Sequence, residues 1–499
     1  AANSSAVWFE ATRAAVDTGL IEGSTPECRG PVQAVVYQRA QDRLLSESAA
    51  AAEIPGGFQL LKNDRDGRGN TYGSQENYEA TIATGWRLAV WRVGLAILLV
   101  PASVVWLYML LVQVGLIVYV LGALIASMLA GFHEGAPRRK RRWLHPAWLA
   151  GHDMATPLPA GMESVLHHVT RAVVSVLAVP LSGLIRIAAF VPQRRALEAF
   201  LMSRSIIGGA GGVREDGRLE LSDKGCAIGS LIGFGELSTN KPVFDFGHML
   251  KAFGLQRAGV PFEYFELFAR RQRLQIGLGD SNMAPTAELL RVATTTLILD
   301  LVESGEVPER VWPRLPDPLA ALREFQRDLT LARRVALRDG RHLSSRELQT
   351  EYAQIAAEFL VDRPNVPGEV RFVCRLWNRT LEQLAEDPTS LVGRIDWVTK
   401  RQLLEEAGAE LPWDAKKKID LRYHELSPSG YFHQVTADFA TESWIDDAHV
   451  ERAMRSPPKD TPATMRGHYI REFAVGDQPV RVTWRRILIG SGKERRVIL

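Results

Sequence analysis

Along most of this chain, apolar and polar residues recur at spacings that mark ordinary helices and strands, but one stretch breaks the pattern. From Val93 to Phe132 the chain passes forty residues without a charge. As helix this stretch would reach about 60 Å, roughly twice the hydrocarbon thickness of a bilayer. A hairpin of two membrane-crossing helices uses that length and one straight span does not; the turn is expected near Gln113 and Gly115. Arg87 and Arg92 precede the stretch and Arg138-Arg139-Lys140-Arg141-Arg142 follows it, so both ends are expected in the cytoplasm. Trp86, Trp91 and Trp143 stand where interfacial aromatics belong. The alternative is a helical hairpin buried in a large soluble core. A later apolar run, Val173–Ile185, is too short to span and is bounded by Arg171 and Arg186, which suits an interfacial or packing helix. The basic run is in its plainest reading a topology signal, and in another a site for anionic lipid headgroups.

Outside that stretch the periodicity is that of a mixed fold. Residues 1–84 read as strand, turn, helix, strand, turn. Pro31 opens a helix expected to run to Ser46, with Val32, Val35, Val36, Leu44 and Leu45 on one side. Pro55-Gly56-Gly57 then breaks the chain, and Phe58, Leu60 and Leu61 form an apolar, β-type run. An Asp/Gly-rich turn through Gly67, Gly69 and Gly73 follows and closes on Glu76-Asn77-Tyr78. Later, Leu219–Ser222, Ile228–Phe234 and Arg273–Gly279 predict strands, and Thr286–Ser304 predicts a helix stopped by Gly305. Residues 317–410 are mostly helical around the turn Asp339-Gly340, and Val480–Leu488, with Trp484 in it, predicts a strand.

Composition narrows the class. At 499 residues two or three units are expected, and 23% charged with 46% hydrophobic residues is ordinary for a folded protein. A net charge of +3 does not imply a nucleic-acid partner. The cysteines, Cys28, Cys226 and Cys374, lie far apart without CxxC spacing, so neither a disulfide framework nor a zinc site is expected, and a reducing compartment fits. The run Gly208-Gly209-Ala210-Gly211-Gly212 is no phosphate loop, because the Lys-Ser/Thr ending is missing. No secretory signal is visible near Ala1, and further sequence upstream is expected.

Five stretches occur in an order that carries a resemblance. They are Val16-Asp17 with Thr25-Pro26-Glu27-Cys28; Lys62-Asn63 through Glu76-Asn77-Tyr78; Gly279-Asp280-Ser281-Asn282-Met283 with Thr294-Thr295-Thr296-Leu297; Arg394–Lys400; and Ile419–His424, continuing to Pro457-Pro458 and Arg466-Gly467. Together they resemble the Pup ligase and Pup deamidase/depupylase family. The resemblance implies an α+β, glutamine-synthetase-like catalytic domain with antiparallel sheet and helices, interrupted by the membrane hairpin. The expected segments are 1–84, an insert at 85–195 with the hairpin at about 93–132, the remainder of the catalytic domain at 196–418, and a small C-terminal domain at 419–499.

It also implies a chemistry: ATP with Mg²⁺ activates the C-terminal glutamate of a Pup-like modifier, and a lysine of a protein substrate then attacks to give an isopeptide bond. By similarity Asp17 is the base or nucleophile, Glu22, Glu27 and Glu76 share the metal, and Arg13, Thr25 and Trp484 hold ATP. The partners expected are the modifier, lysine-bearing proteins and a lipid bilayer, with the catalytic domain on the cytoplasmic side and no nucleic acid. Departures from the family pattern are specific. Its opening Glu-bearing strand is absent, Ala15 replaces a metal-site tyrosine, Gln75 and Gln275 replace histidines, and Lys241–Lys251 lacks a Thr-Arg-Asp-Glu-Pro-His run. Two alternatives to the ligase therefore stand: a deamidase/depupylase that hydrolyses the amide or isopeptide, and a non-catalytic member that anchors a partner at the membrane.

Overall fold

The computed structural model describes residues 3–9, 20–52, 59–66, 69–131, 160–235, 240–254, 262–361, 363–408, 410–437, 444–473, 480–482, 487–490 and 496–498. The chain divides into two compact units. The first holds Ala1–Tyr78, Pro192–Leu231 and Ile276–Leu499, and the second holds Glu79–Val191 and Ile232–Gln275.

The first unit opens on a hairpin of β1 (Ala6–Phe9) and β2 (Ile21–Ser24), followed by α1 (Pro31–Ala51). Pro31 occupies the first turn of α1, where its missing N–H costs nothing, and the helix runs five residues beyond the expected Ser46 because Ser-Glu-Ser-Ala offers no breaker. Leu60 and Leu61 do not form the expected strand. Leu61 makes only an isolated bridge to Glu425. The strand lies later: β3 (Glu76–Thr81) begins at the glutamate that the sequence placed in a turn.

Continuing along the chain are α2 (Gly85–Gly131), α3 (Ala160–Ala188), α4 (Val191–Ser203), β4 (Gly212–Val213), β5 (Leu219–Glu220), β6 (Ile228–Gly233), β7 (Lys241–Asp245) and β8 (Arg271–Ile276). A four-stranded sheet has the order β3-β8-β7-β6. Then α5 (Pro285–Ser304) ends where expected, at Gly305 with φ of 71°, a left-handed cap that suits glycine. It is followed by the hairpin β9 (Arg334–Ala336) and β10 (His342–Ser344), by α6 (Ser345–Val361), α7 (Gly368–Glu386), α8 (Asp396–Ala407) and α9 (Trp413–Tyr423), and by α10 (Asp447–Arg455) and α11 (Pro462–Phe473). The single strand expected at Val480–Leu488 is two, β11 (Val480–Val482) and β12 (Ile487–Ile489), paired antiparallel. Trp484 lies outside the described residues.

In the first unit α5 is the central element and packs on α1, α6 and α7. Its Leu289, Leu290, Ala293, Leu297, Ile298 and Leu301 are all buried, and so are Trp377 and Tyr352, whose rings meet Phe200 edge-on. Helix α1 is clamped from its other side by α10, where Tyr37 and Ala40 pack on Val450 and Ala453.

The second unit corrects the hairpin expectation. Helix α2 is one continuous helix of 47 residues, running through Gln113, Gly115 and Pro101 without a turn. A lone glycine costs a helix only about 1 kcal/mol, so in a run of Leu and Val it does not supply a turn. The partner of α2 is α3, which contains the whole Val173–Ile185 run and Pro180 within 29 residues. Trp91, Leu95, Leu98, Ala102 and Val105 form the buried stripe of α2, at the three- and four-residue spacing of a packed helix face.

Candidate active site

The described residues of 60–74 have almost no regular structure and are held by hydrogen bonds to distant parts of the chain. Lys62 N–H donates to His424 O at 2.9 Å and Leu426 N–H to Leu60 O at 3.0 Å. Ser74 N–H donates to Gly279 O at 3.0 Å, and Ser281 N–H to Asp64 Oδ2 at 2.8 Å. Gly73 has φ of +130°, and a Cβ there would stand 2.9 Å from Gly279 O. Only glycine allows this approach of the two segments.

Next to it, Glu76 is the hub of a buried ionic cluster. Its Oε1 accepts from Arg204 Nη2 at 2.8 Å and Arg291 Nη1 at 2.7 Å; its Oε2 accepts from Arg204 Nη1 at 2.9 Å and the Tyr78 hydroxyl at 2.6 Å. Burial alone would push the Glu76 carboxyl up, but the guanidiniums of Arg204 and Arg291 outweigh it and hold it below the ordinary range. Burial, and then the charge of Glu76, push the Tyr78 phenol far up, so it stays a donor. The cluster continues through Arg291 to Glu288 at 3.4 Å and from Glu288 to Arg39 at 2.9 Å. Lys62 Nζ reaches Asp42 at 2.7 Å and Glu288 at 3.6 Å. Burial acts on Glu288 in the same way and is outweighed by Lys62, Arg39 and Arg291.

A second polar cluster joins the remaining motifs. Asp280 accepts from Ala210 N–H, the Ser222 hydroxyl and Lys224 N–H, at 2.8, 2.8 and 3.0 Å. Asp64 beside it is pushed up to about 7 by burial and by the charge of Asp280. Asp223 is pushed up to about 8 by burial and by Asp420, whereas Asp420, which lies against Lys400 and Lys417, is held well down by those two ammonium groups despite its burial. Asp396 accepts from Met283 and Ala284 N–H at 2.8 and 3.0 Å, from Asn282 Nδ2 at 3.0 Å and from the Tyr423 hydroxyl at 2.9 Å. It thereby supplies the N-terminal acceptor that α5 lacks in its own sequence.

The residues expected to hold metal and nucleotide are placed as follows. Arg13 and Asp17, like Trp484, lie outside the described residues. Glu22 is exposed on β2, opposite Trp8 in the hairpin register. Thr25 is half-buried, and Glu27 forms a two-pronged ion pair with Arg466. Among the described residues no three His, Cys, Asp or Glu side chains stand together so as to hold a metal ion. Glu22, Glu27 and Glu76 are thus not gathered, and both Glu76 oxygens are filled by cationic and hydroxyl donors. The described donor set does not fit a magnesium site. The arginines that engage Glu76 were missed from sequence. Their signal was available: Arg291 interrupts the apolar run of α5, and a buried arginine demands an anion.

Comparisons with known proteins bear on what such a site does. The family model described as Pup-ligase protein matches residues 2–488. The depupylase of Acidothermus cellulolyticus is 26% identical over 484 residues, 94% of this chain and 72% of that protein. The Pup–protein ligase of Geodermatophilus obscurus is 35% identical over 235 residues, 46% of this chain and 51% of that protein. The chain thus spans about half the length of the ligases it matches. The solved structure of the Pup ligase PafA in complex with ADP matches with a TM-score of 0.63 at 20% identity, over 100% of this chain and 84% of that one.

Proposed function

The chain belongs to the Pup-ligase family, and on that premise we propose that it joins a Pup-like modifier to lysines of target proteins at the expense of ATP. The observation that carries this reading is the convergence of motifs. Stretches from residues 62–78, 279–283, 394–400 and 419–424 interlock through buried bonds in one unit, by way of Asp64 with Ser281, Asp396 with Met283, and Tyr423 with Asp396. In this proposal the modifier's C-terminal glutamate takes a phosphoryl group from ATP, and a lysine amine displaces phosphate to leave an isopeptide bond. Asp17 is the base, while Arg13, Thr25 and Trp484 contact the nucleotide. Glu76 is assigned to the scaffold.

The helix pair of the second unit attaches the chain to a membrane in this proposal, with the catalytic part cytoplasmic. Residues Gly85–Gly122 and Gly161–Ala188 are each long and apolar enough for hydrocarbon. A depupylase is the second reading, favoured by the depupylase match along 94% of the chain where the ligase match covers 46%.

Incubation with Mg²⁺, ATP, a Pup-like peptide ending in glutamate and a lysine-bearing protein tests these. A mass increase on lysine supports the ligase, and release from a preformed conjugate supports the depupylase. Absence of Mg²⁺-dependent ATP binding by calorimetry removes both and leaves a non-catalytic family member.

A further inference from the structure

We propose that the α2–α3 pair lies along a membrane surface, with one apolar side of both helices in lipid and a polar stripe of α3 turned to water; this rests on the membrane attachment proposed above. The pair is two-sided, and the register between its helices fixes which sides coincide.

Helix α3 carries three kinds of side chain on three sides. Thr170 and Leu184 meet α2, and Leu177 and Leu181 between them are buried. On one flank of that buried side are Ser164, His168, Arg171, Ser175 and Arg186, which at helical pitch fall within an arc of about 60°. Ser175 is half-buried and the other four are exposed. On the other flank Val165, Val169, Val176 and Ile187 share an arc of about 40°, and all four are exposed.

Helix α2 is sided in the same manner. A Cβ on Gly94 would meet Leu184, and the Tyr108 and Thr170 hydroxyls lie 2.7 Å apart, so Gly94 and Tyr108 mark the side turned to α3. One flank is covered within the same unit, where the Trp91 indole donates to Leu267 O at 2.8 Å and the Trp106 indole to Phe253 O. The other flank holds Ile97, Val104, Leu111 and Val118, all exposed. The two contacts to α3 are separated by fourteen residues on each helix, so the helices run antiparallel in one register. Seen from one end, antiparallel helices turn in opposite senses. The exposed apolar flanks of α2 and α3 therefore fall on the same side of the pair, and the polar stripe of α3 falls on the side where Trp91 and Trp106 are covered.

Mean hydropathy, 2.5 over Gly85–Gly122 and 1.7 over Gly161–Ala188, suits lipid in either orientation. The stripe decides between them. In a pair standing across a bilayer, Arg171 and Ser175, near the middle of α3, would face hydrocarbon, where a charged side chain is expensive. In a pair lying in the interface, the shared apolar side sinks about 5–10 Å into the boundary of headgroups and acyl chains while the stripe stays wet. Leu95, Leu98 and Val105 of α2 do not face lipid in this orientation, and they are buried in the protein. Gln113, the one amide between Val93 and Phe132, is exposed two turns beyond Trp106 on the same side, away from the lipid.

The test uses the full chain added to sealed phosphatidylcholine/phosphatidylglycerol vesicles. In the register above, Val104 with Ser175 and Leu111 with His168 are pairs within one residue of the same level, about 1.5 Å along the helices. Single variants Val104→Cys, Leu111→Cys, His168→Cys and Ser175→Cys are exposed to a membrane-impermeant maleimide, and labelling is read peptide by peptide by mass spectrometry, with and without vesicles. The expected result is labelling slowed roughly tenfold or more by vesicles at positions 104 and 111, and unchanged within about twofold at 168 and 175. Equal protection of both members of a pair shows helices standing in the bilayer and overturns the inference while leaving the attachment intact. Rates that vesicles leave unchanged at all four positions overturn the attachment itself.

Discussion

Replacing Glu76 by glutamine separates the scaffold role of this residue from the metal role expected of it. The substitution keeps the shape and removes the charge. Arg204 and Arg291, 3% and 2% exposed, would then share one remaining nearby carboxylate, Glu288, which is 3.4 Å from Arg291. The amide NH₂ would also point a donor at donors, where Oε1 and Oε2 now accept four bonds of 2.6–2.9 Å. Breaking a buried ion pair by removing one partner costs about 3–5 kcal/mol. With a denaturant slope of about 3 kcal/mol per M urea, the first unit should unfold at a midpoint about 1.3 M lower. Intrinsic tryptophan fluorescence reads this without nucleotide or metal present. Arg204→Met should cost a similar amount, and the double variant should cost clearly less than the sum, because each change removes the same pair. The pH dependence has a definite sign. The folded Glu76 carboxyl is depressed, so its contribution is present above the usual carboxylate range and is lost as pH falls through the folded value. A midpoint for Glu76→Gln unchanged within about 0.2 M, with Mg²⁺-dependent ATP binding abolished, would refute the scaffold assignment.

Substitutions at three more positions test the same unit. Asp64 is raised to about 7 from 3.8, so its buried charge costs stability increasingly between about pH 4 and pH 7, up to roughly 4 kcal/mol. Asp64→Asn should match the parent near pH 4 and exceed it in urea midpoint at pH 8; equal midpoints at pH 8 would count against the raised carboxyl. Gly73→Ala places a Cβ 2.9 Å from Gly279 O at a φ of +130° and should destabilise by about 1–3 kcal/mol, seen as a lower melting temperature. Asp396→Ala leaves the Met283 and Ala284 N–H groups, the Asn282 amide and the Tyr423 hydroxyl without their acceptor, and at about 1–3 kcal/mol for each buried orphan it should prevent stable folding. Asp396→Asn, which keeps one oxygen for the two N–H groups, should be recovered folded with a lower urea midpoint.

The parts of the fold that were legible in the sequence are those where one face is apolar and a stop residue follows. Helix α5 and its Gly305 cap, strand β6 and the start of α1 all meet that description. Strand β3 does not. Its Glu76, Tyr78 and Ala80 face one way, with Glu76 and Ala80 buried and Tyr78 half-buried, but a glutamate leads them, so the inward face reads as polar. Strand β7 was hidden in the same way by Lys241 and Pro242 at its start. The long helix was misjudged for a different reason: with no charged residue from 93 to 131, periodicity carries little information on where a turn falls, and only packing on α3 fixes the path. At the site, Asp280, Asn282 and Tyr423 were found as parts of motifs, whereas their work as acceptors and donors depends on neighbours 27 to 114 residues away in the chain.

That last point changes what the motifs signify. Glu76, Asp280, Asn282, Asp396, Lys400, Asp420 and Tyr423 are almost completely buried and hydrogen-bonded, and the last five of them join one motif to another. Their retention is explained by the cost of leaving any one of them unpaired, whether or not the chain turns over substrate. In the proposed reading catalysis falls to other groups; of the positions where the sequence pattern leads one to expect a tyrosine and two histidines, Ala15 lies outside the described residues, Gln75 is exposed and Gln275 is buried. Of the last two, Gln275 already accepts from Arg273 at 3.0 Å, a bond that a neutral imidazole could also take. Gln275→His should therefore fold as the parent does. If it also strengthens Mg²⁺-dependent nucleotide binding in calorimetry, the glutamine is what weakened an otherwise competent site; equal binding in parent and variant would show that the amide was not the limiting change.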